Sequence, residues 1–308
     1  MNSFNLLVDS FESPIGTGEF GIVFDASTVY NDYLTKRTHG KYGESFVVKF
    51  AKDTSRIEEF YNELNAASKL SNLSHIVPIV HWMVEFQFYD VKTGQINLYF
   101  IDSHMESRKE DCAIPHVSNH MKTAISLIHS KMDPLQLFKQ YVIDHEYHSY
   151  VFQVSLALPK FHGSLEGLMK HPPVWFNQIE RFNICLTVAS ILAGLHEQGF
   201  DHGDLNPGNI LFLRDMDQSI YLAFHDLGRS RRLENDRDIQ AFKNLCLEML
   251  IPTPPGLSSF YQKEVYWEAH LDDIDPPGMQ PIIQLCEEEG MSMRSIYSTM
   301  VNITFPES

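Results

Sequence analysis

Three polar residues in the second half of the chain have the types and spacing to hold a divalent cation and a polyanion. Asp204 and Asn209 share the run His202-Gly203-Asp204-Leu205-Asn206-Pro207-Gly208-Asn209, and Asp226 follows in His225-Asp226-Leu227-Gly228. Hard oxygen donors of this kind suit magnesium, which takes one or two protein ligands and completes its shell with water and substrate phosphates. The flanks predict how they are positioned. An apolar-striped helix over 177–198, closed by Gly199, should bury Ile179, Phe182, Leu186, Ala189 and Ala193. Short strands are expected over 210–213 and 221–224, so that Asn209 and Asp226 fall at the ends of neighbouring strands.

A second set of candidates lies near the N-terminus. Gly16, Gly18 and Gly21 precede an extended stretch containing Val23. Glycines there let the backbone fold tightly and bring N–H groups to phosphate oxygens, although glycine-rich hairpin turns share the pattern. No Gly-Lys-Ser/Thr follows, which excludes a P-loop, and no helix follows as a dinucleotide fold requires. Lys49 stands inside an apolar strand over 45–51, where burial is costly unless an anion meets it; an edge strand facing water is the alternative. The helix expected over 56–70 has Ile57, Phe60, Leu64, Ala67 and Leu70 on one face, and places Glu59 and Glu63 where either reaches back to Lys49.

Between these sets, 28–44 reads as a long polar loop and 75–84 as a strand. Further strands are expected over 96–101 and 150–158, with helices over 120–130 and 135–141. His116, His120, His129, His145 and His148 have no metal-ligand spacing. Residues 159–163 read as a linker, followed by a short helix capped by Ser164. Helices over 236–250, 259–270, 281–288 and 292–300 complete the chain. Strands first and helices afterwards predict two segregated lobes, an α+β architecture, rather than a doubly wound sheet.

With 308 residues the chain can bury a full core. Twenty-four basic against forty acidic residues give a formal charge of -16, which disfavours nucleic acid as the main partner. Cys112, Cys185, Cys246 and Cys286 are scattered, and the buried free thiols expected at Cys185 and Cys246 fit a reducing compartment. Neither a signal peptide nor a membrane span is read from the sequence. The expectation is a cytoplasmic protein, with delivery into a host cell as the variant if the source is a pathogen.

Taken together, these residues resemble the protein-kinase-like superfamily. Gly16, Gly18, Gly21 and Val23 match its glycine-rich loop, Lys49 its strand lysine and Glu63 the helix partner of that lysine. Asp204 and Asn209 match the catalytic loop, Asp226 the metal-binding aspartate, and Asp238 the helix aspartate that ties the catalytic loop down. The resemblance covers residues 12–84 and about 150–250. It implies a bilobal fold with a strand-rich N-lobe over 1–159, an insertion at about 85–146, and a helical C-lobe over 160–308 with a reduced activation segment. It also implies ATP and Mg2+ as cofactors. Lys49, held by Glu63, would meet the phosphates, and Asn209 and Asp226 would ligate the metal. Asp204 would accept the proton of the acceptor hydroxyl, and backbone near Ser155 to Leu158 would meet the adenine edge.

Departures from the pattern bear on the acceptor. Gly203 replaces the arginine that pairs with a phosphorylated activation loop, and Asn206 replaces the lysine of Ser/Thr protein kinases, so a neutral group must take over any γ-phosphate contact. Eleven residues separate Asp226 from Asp238, too few for an ordinary activation segment. The resemblance therefore implies an atypical Ser/Thr protein kinase without activation-loop phosphoregulation. Its alternatives are a sugar, lipid or metabolite kinase, since the catalytic loop is also similar to aminoglycoside and choline phosphotransferases and lipopolysaccharide sugar kinases, and a pseudokinase-type scaffold. The partners implied are a protein or small-molecule hydroxyl acceptor and a regulatory protein. Arg229, Arg231 and Arg232 form the densest basic patch, either a contact for an acidic ligand or a solvated loop.

Overall fold

The computed structural model describes residues 7–8, 13–18, 21–90, 95–102, 134–139, 143, 151–216, 219–231, 237–251, 253–254, 256–257, 259–274 and 278–303, with 86–90 and 95–102 as backbone alone. The helix expected over 120–130 and all five histidines from His116 to His148 lie outside these residues, as does Arg232. The chain divides into two compact units, one of residues 1–69 and 77–160, the other of 70–76 and 161–308.

Among the described residues, the first unit is built on an antiparallel sheet with strand order β1-β2-β3-β6-β4-β5. The strands are β1 (Gly16–Thr17), β2 (Gly21–Asp25), β3 (Phe46–Ala51), β4 (His81–Asp90), β5 (Gln95–Asp102) and β6 (Val151–Pro159). Alternation along β3 sets its two faces. Phe46, Val48 and Phe50 join Leu34, Tyr30, Phe24 and Ala157 in one apolar cluster. Lys49 points to the opposite face, where Ile57, Phe60 and Leu64 of helix α2 (Ile57–Lys69) pack on Trp82, Val84, Val154 and Leu156. Helix α3 (Pro134–Phe138) adds Phe138 to this second cluster, and the remainder of the expected 135–141 segment beyond residue 139 lies outside the described residues.

The first cluster contains a correction. Residues 28–37 form helix α1 (Thr28–Arg37) rather than part of a long loop. Only Tyr30 and Leu34 of that helix are buried, so its apolar stripe is too thin to give a periodic signal. Ser27 caps it by accepting from the Tyr30 N–H, and the Tyr30 hydroxyl meets His81 Nδ1 at 2.7 Å. Residues 75–80 likewise precede the strand rather than belonging to it, since β4 starts at His81.

The second unit is mainly helical, with a small antiparallel sheet of order β7-β8-β9: β7 (Gly163–Ser164), β8 (Ile210–Arg214) and β9 (Ile220–Phe224). Ser164 caps α4 (Leu165–Lys170) and Asn177 caps α5 (Gln178–Glu197). Gly199, at φ 77°, carries the left-handed turn that ends the long helix. Helix α5 packs against α6 (Arg237–Leu250) and α9 (Met293–Met300); α7 (Phe260–Ala269) and α8 (Met279–Leu285) lie between these last two in sequence.

The buried side of α5 is wider than the expected stripe and includes Ile184, Cys185, Val188, Ile191, Leu192 and Leu195. Ile179, expected inside, is 52% exposed. Cys185, Cys246 and Cys286 are free and buried; burial pushes the Cys246 thiol well up and that of Cys286 up to about 12, so neither is a nucleophile at neutral pH. No helix among the described residues is long and apolar enough to cross a membrane.

Because α1 rests on two buried side chains and one cap, Ser27→Ala should lower the stability of the chain by about 1 kcal/mol. A shift in the urea midpoint with an unchanged m-value would show it.

Candidate active site

Each unit carries one half of the expected constellation. In the first, Gly21 of β2 stands opposite Ala51 of β3. A Cβ there would come within 2.8 Å of the Phe50 carbonyl oxygen and 3.1 Å of the Lys49 stem, so this position must be glycine to let β2 lie over the lysine. The glycine turn closes through the Gly18 N–H donating to the Gly21 carbonyl at 2.9 Å. Gly16 and Gly18 have room for a side chain, so no steric demand fixes them.

Lys49 Nζ donates to Glu63 Oε2 at 2.8 Å, with both side chains about nineteen-twentieths buried. Of the two glutamates that sequence offered, α2 presents Glu63; Glu59 instead meets Arg56 at 3.3 Å. The ammonium also lies 5.4 Å from the centre of the Phe60 ring. Cross-strand partners share a face, so Val23, Lys49 and Leu156 form one row across three strands, with Val47 and Leu158 in the next pair.

Val23 and Leu158 thus lie on the lysine's side of the sheet. Ser155 does not. It is paired with Phe50 on one side and Met83 on the other, points away from Lys49, and is buried. The Ala157 carbonyl is likewise taken, by the Val80 N–H. The backbone over 155–159 lies within the sheet, with Leu158 paired to Val47 and Pro159 to Phe46.

In the second unit the loop from His202 to Asn209 is held from beneath by Asp238, in the first turn of α6. Its Oδ2 accepts from the His202 N–H at 2.7 Å and faces His196 Nε2 at 3.0 Å; its Oδ1 accepts from the Gly203 N–H at 3.1 Å. Burial alone would raise this carboxyl. The hydrogen bonds from His196, His202 and Gly203 prevail and hold it below the usual carboxylate range.

His202 is fully buried, and burial keeps its imidazole neutral by lowering its pKa. Its Nδ1 accepts from the Asp204 N–H at 3.3 Å, so the proton sits on Nε2, which donates to the His225 carbonyl at 3.1 Å. His225 returns the link: its N–H donates to the Asn209 carbonyl and its Nε2 donates to the Gly208 carbonyl, both at 3.1 Å. The loops bearing Asn209 and Asp226 are therefore pinned together one residue before Asp226.

Asp226 itself is left-handed, at φ 61° and ψ 57°, an uncommon conformation for a non-glycine residue, and its side chain makes no capping bond to the turn that follows. Asn209 Nδ2 donates to the Asp204 carbonyl at 2.8 Å and to Asp204 Oδ2 at 3.2 Å. This orients the amide, so Oδ1 is the atom presented away from Asp204. One amide oxygen and one carboxylate are the donor set that magnesium takes when phosphates and water complete its shell, and they fit it. Among the described residues no group of three or more His, Cys, Asp or Glu forms an all-protein metal cage.

Three features escaped sequence reasoning. Asn206 accepts from the Gly208 and Asn209 N–H groups and donates to the Asp204 carbonyl, so its side chain is spent capping the loop and takes over no phosphate contact. Gly203 is required by its φ of 76° and by the Arg229 carbonyl oxygen, which a Cβ would approach to 2.5 Å. Arg229 Nη1 reaches Asp204 Oδ1 at 3.4 Å. The first had a signal, an Asn one residue before proline in a helix-capping position; the other two depend on contacts between loops remote in sequence.

Residues 163–249, which carry the loops just described, match the family model of the lipopolysaccharide kinase (Kdo/WaaP) family. A probable serine/threonine-protein kinase, gdt4 of Dictyostelium discoideum, is 26% identical over 105 residues, 34% of this chain. The chain spans about 6% of that relative's length.

Two predictions follow from the buried carboxylates. Glu63→Ala removes the carboxylate that meets the buried Lys49 ammonium and should cost about 3–5 kcal/mol, whereas a Lys49→Met/Glu63→Leu double variant should recover most of that stability in the same denaturant titration. Asp238, with its pKa depressed in the fold, contributes stability that is full above the ordinary carboxylate range and is lost as pH falls through its lowered value. Acid unfolding of Asp238→Asn should therefore lose this steepness at the acid end, read by circular dichroism against pH. The α+β fold, the order of these loops and both similarities support a kinase-like reading of this chain, and the family-model match itself is confined to residues 163–249.

Proposed function

We propose that the protein is an ATP- and magnesium-dependent phosphotransferase acting on a hydroxyl group. The observation that carries this reading is the second unit's pair of pinned loops. They present a carboxylate, Asp204, beside an oriented carboxamide, Asn209, and join the latter to the left-handed Asp226 through His225.

Asn209 Oδ1 and Asp226 would hold the metal, whose charge when bound offsets that spreading over the transferred phosphoryl group. Lys49, kept in place by Glu63, contacts the nucleotide phosphates, and the turn of Gly16, Gly18 and Gly21 covers them. Val23 and Leu158 give the base its apolar contacts, and backbone near Leu158 its polar edge. Asp204 orients the acceptor hydroxyl and takes its proton as the oxygen bonds to the γ phosphorus. The bond from that phosphorus to the β–γ bridging oxygen breaks, and its electron pair leaves on ADP. A pseudokinase scaffold is disfavoured because holding a partner requires none of these four side chains, Lys49, Asp204, Asn209 and Asp226.

For the acceptor, sequence motifs of the first unit favour Ser/Thr hydroxyls. The match of residues 163–249 to lipopolysaccharide kinases favours a sugar hydroxyl. So does the path after Asp226, which turns straight back onto the catalytic loop, with the Ser230 hydroxyl on the Asp201 carbonyl and the Arg231 N–H on Asp201 Oδ1 at 2.8 Å. We favour the sugar or another small hydroxyl compound on that second observation.

The test is transfer of γ-labelled phosphate from ATP into separate protein and glycan pools. Wild type should label an acceptor, and Asp204→Ala and Asp226→Ala should each lose at least about 1,000-fold while keeping the wild-type circular dichroism spectrum. Label that persists in Asp204→Ala would remove the assigned base, and label in protein alone would remove the sugar reading.

A further inference from the structure

The Asp204 carboxylate is gripped from two sides. Asn209 Nδ2 holds Oδ2, and Arg229 Nη1 stands 3.4 Å from Oδ1. The second contact is built by the backbone. The Arg229 carbonyl lies against Gly203, where a Cβ would meet it at 2.5 Å; Ser230 Oγ donates to the Asp201 carbonyl, the Arg231 N–H donates to Asp201 Oδ1 at 2.8 Å, and the Asp201 N–H donates to the Arg231 carbonyl at 3.1 Å. Residues 229–231 are thus strapped along 201–203, and the strap delivers one guanidinium to the carboxylate that faces the acceptor. The Arg229 side chain remains 42% exposed and that of Asp204 29%, so the pair opens to solvent rather than being sealed in a core.

The neighbouring catalytic-loop position lacks a cation. Asn206 is neutral, and its amide is consumed by the Gly208 and Asn209 N–H groups and the Asp204 carbonyl. An acceptor oxygen held by Asp204 places the phosphorus it attacks within a few ångströms of the same carboxylate, and therefore within reach of Arg229. A planar guanidinium suits phosphoryl oxygens better than any neutral group available in the loop.

We propose that Arg229 is a catalytic residue that binds the transferred phosphoryl group in the transition state, supplying the charge that Asn206 does not. This rests on the phosphotransferase reading above. In the resting chain the guanidinium is parked on Asp204. As negative charge gathers on the oxygens in flight, Arg229 shifts its hydrogen bonds to them and leaves Asp204 Oδ1 to the acceptor hydroxyl. Interactions made only at that stage raise kcat and leave ground-state nucleotide binding alone.

The experiment measures Kd for MgADP, with and without aluminium fluoride, in wild type, Arg229→Ala and Arg229→Lys, alongside kcat and the KM for ATP. Aluminium fluoride mimics the phosphoryl group in flight. Arg229→Ala should bind MgADP within about 2-fold of wild type but lose about 100-fold for the aluminium fluoride complex, with a similar fall in kcat and little change in KM. Arg229→Lys, which keeps the charge without the fork, should fall between, and ethylguanidinium should restore part of the turnover of Arg229→Ala. If Arg229→Ala does not fold, the lysine variant carries the same comparison.

Equal loss for MgADP with and without aluminium fluoride would overturn the proposal, and so would faster turnover in Arg229→Ala, which would make the pair an inhibitory latch. In both cases a dead Asp204→Ala would leave the phosphotransferase reading standing. A wild type that fails to bind MgADP would end both.

Discussion

The second unit depends on one buried carboxylate. Asp238 receives two consecutive backbone N–H groups, those of His202 and Gly203, and one imidazole, His196. Two adjacent amides aimed at one carboxylate fix the plane and direction of the chain at that point, and the loop from Asp204 to Asn209 inherits its orientation. A buried carboxylate without those donors would be costly; with them it is held ionised below the usual range. The same interaction that anchors the loop is therefore the one that keeps the anchor charged.

The first unit solves a similar problem with an ion pair. Lys49 is forced inward by the alternation of β3, because Phe46, Val48 and Phe50 claim the other face. Glu63, one row up from Phe60 on α2, makes that burial tolerable. Such a pair contributes little net stability over an apolar replacement, so its presence argues for a role of the ammonium beyond folding.

How much of this was legible depended on whether the signal was local. Lys49, Glu63, Asp204, Asn209 and Asp226 stand in short motifs with fixed spacing, and the strand-then-helix order follows from periodicity alone. Helix α1 was not legible, since its stability comes from Tyr30 and Leu34 packing on strands remote in sequence rather than from an apolar stripe. Asn206 and Gly203 were read as losses relative to a familiar pattern. Each fills a demand that only the folded loop states: one caps a turn, and the other makes way for a carbonyl.

The close approach at Gly203 has a consequence for how such a chain can diverge. Position 203 accepts no side chain while residues 229–231 run alongside it, held there by the contacts of Ser230 and Arg231 with Asp201. Were they moved away, the contact with the Arg229 carbonyl would be relieved, but the left-handed backbone at φ 76° would still favour glycine. Two independent demands, space and backbone handedness, thus hold one position to the smallest residue, and a substitution there has to overcome both at once.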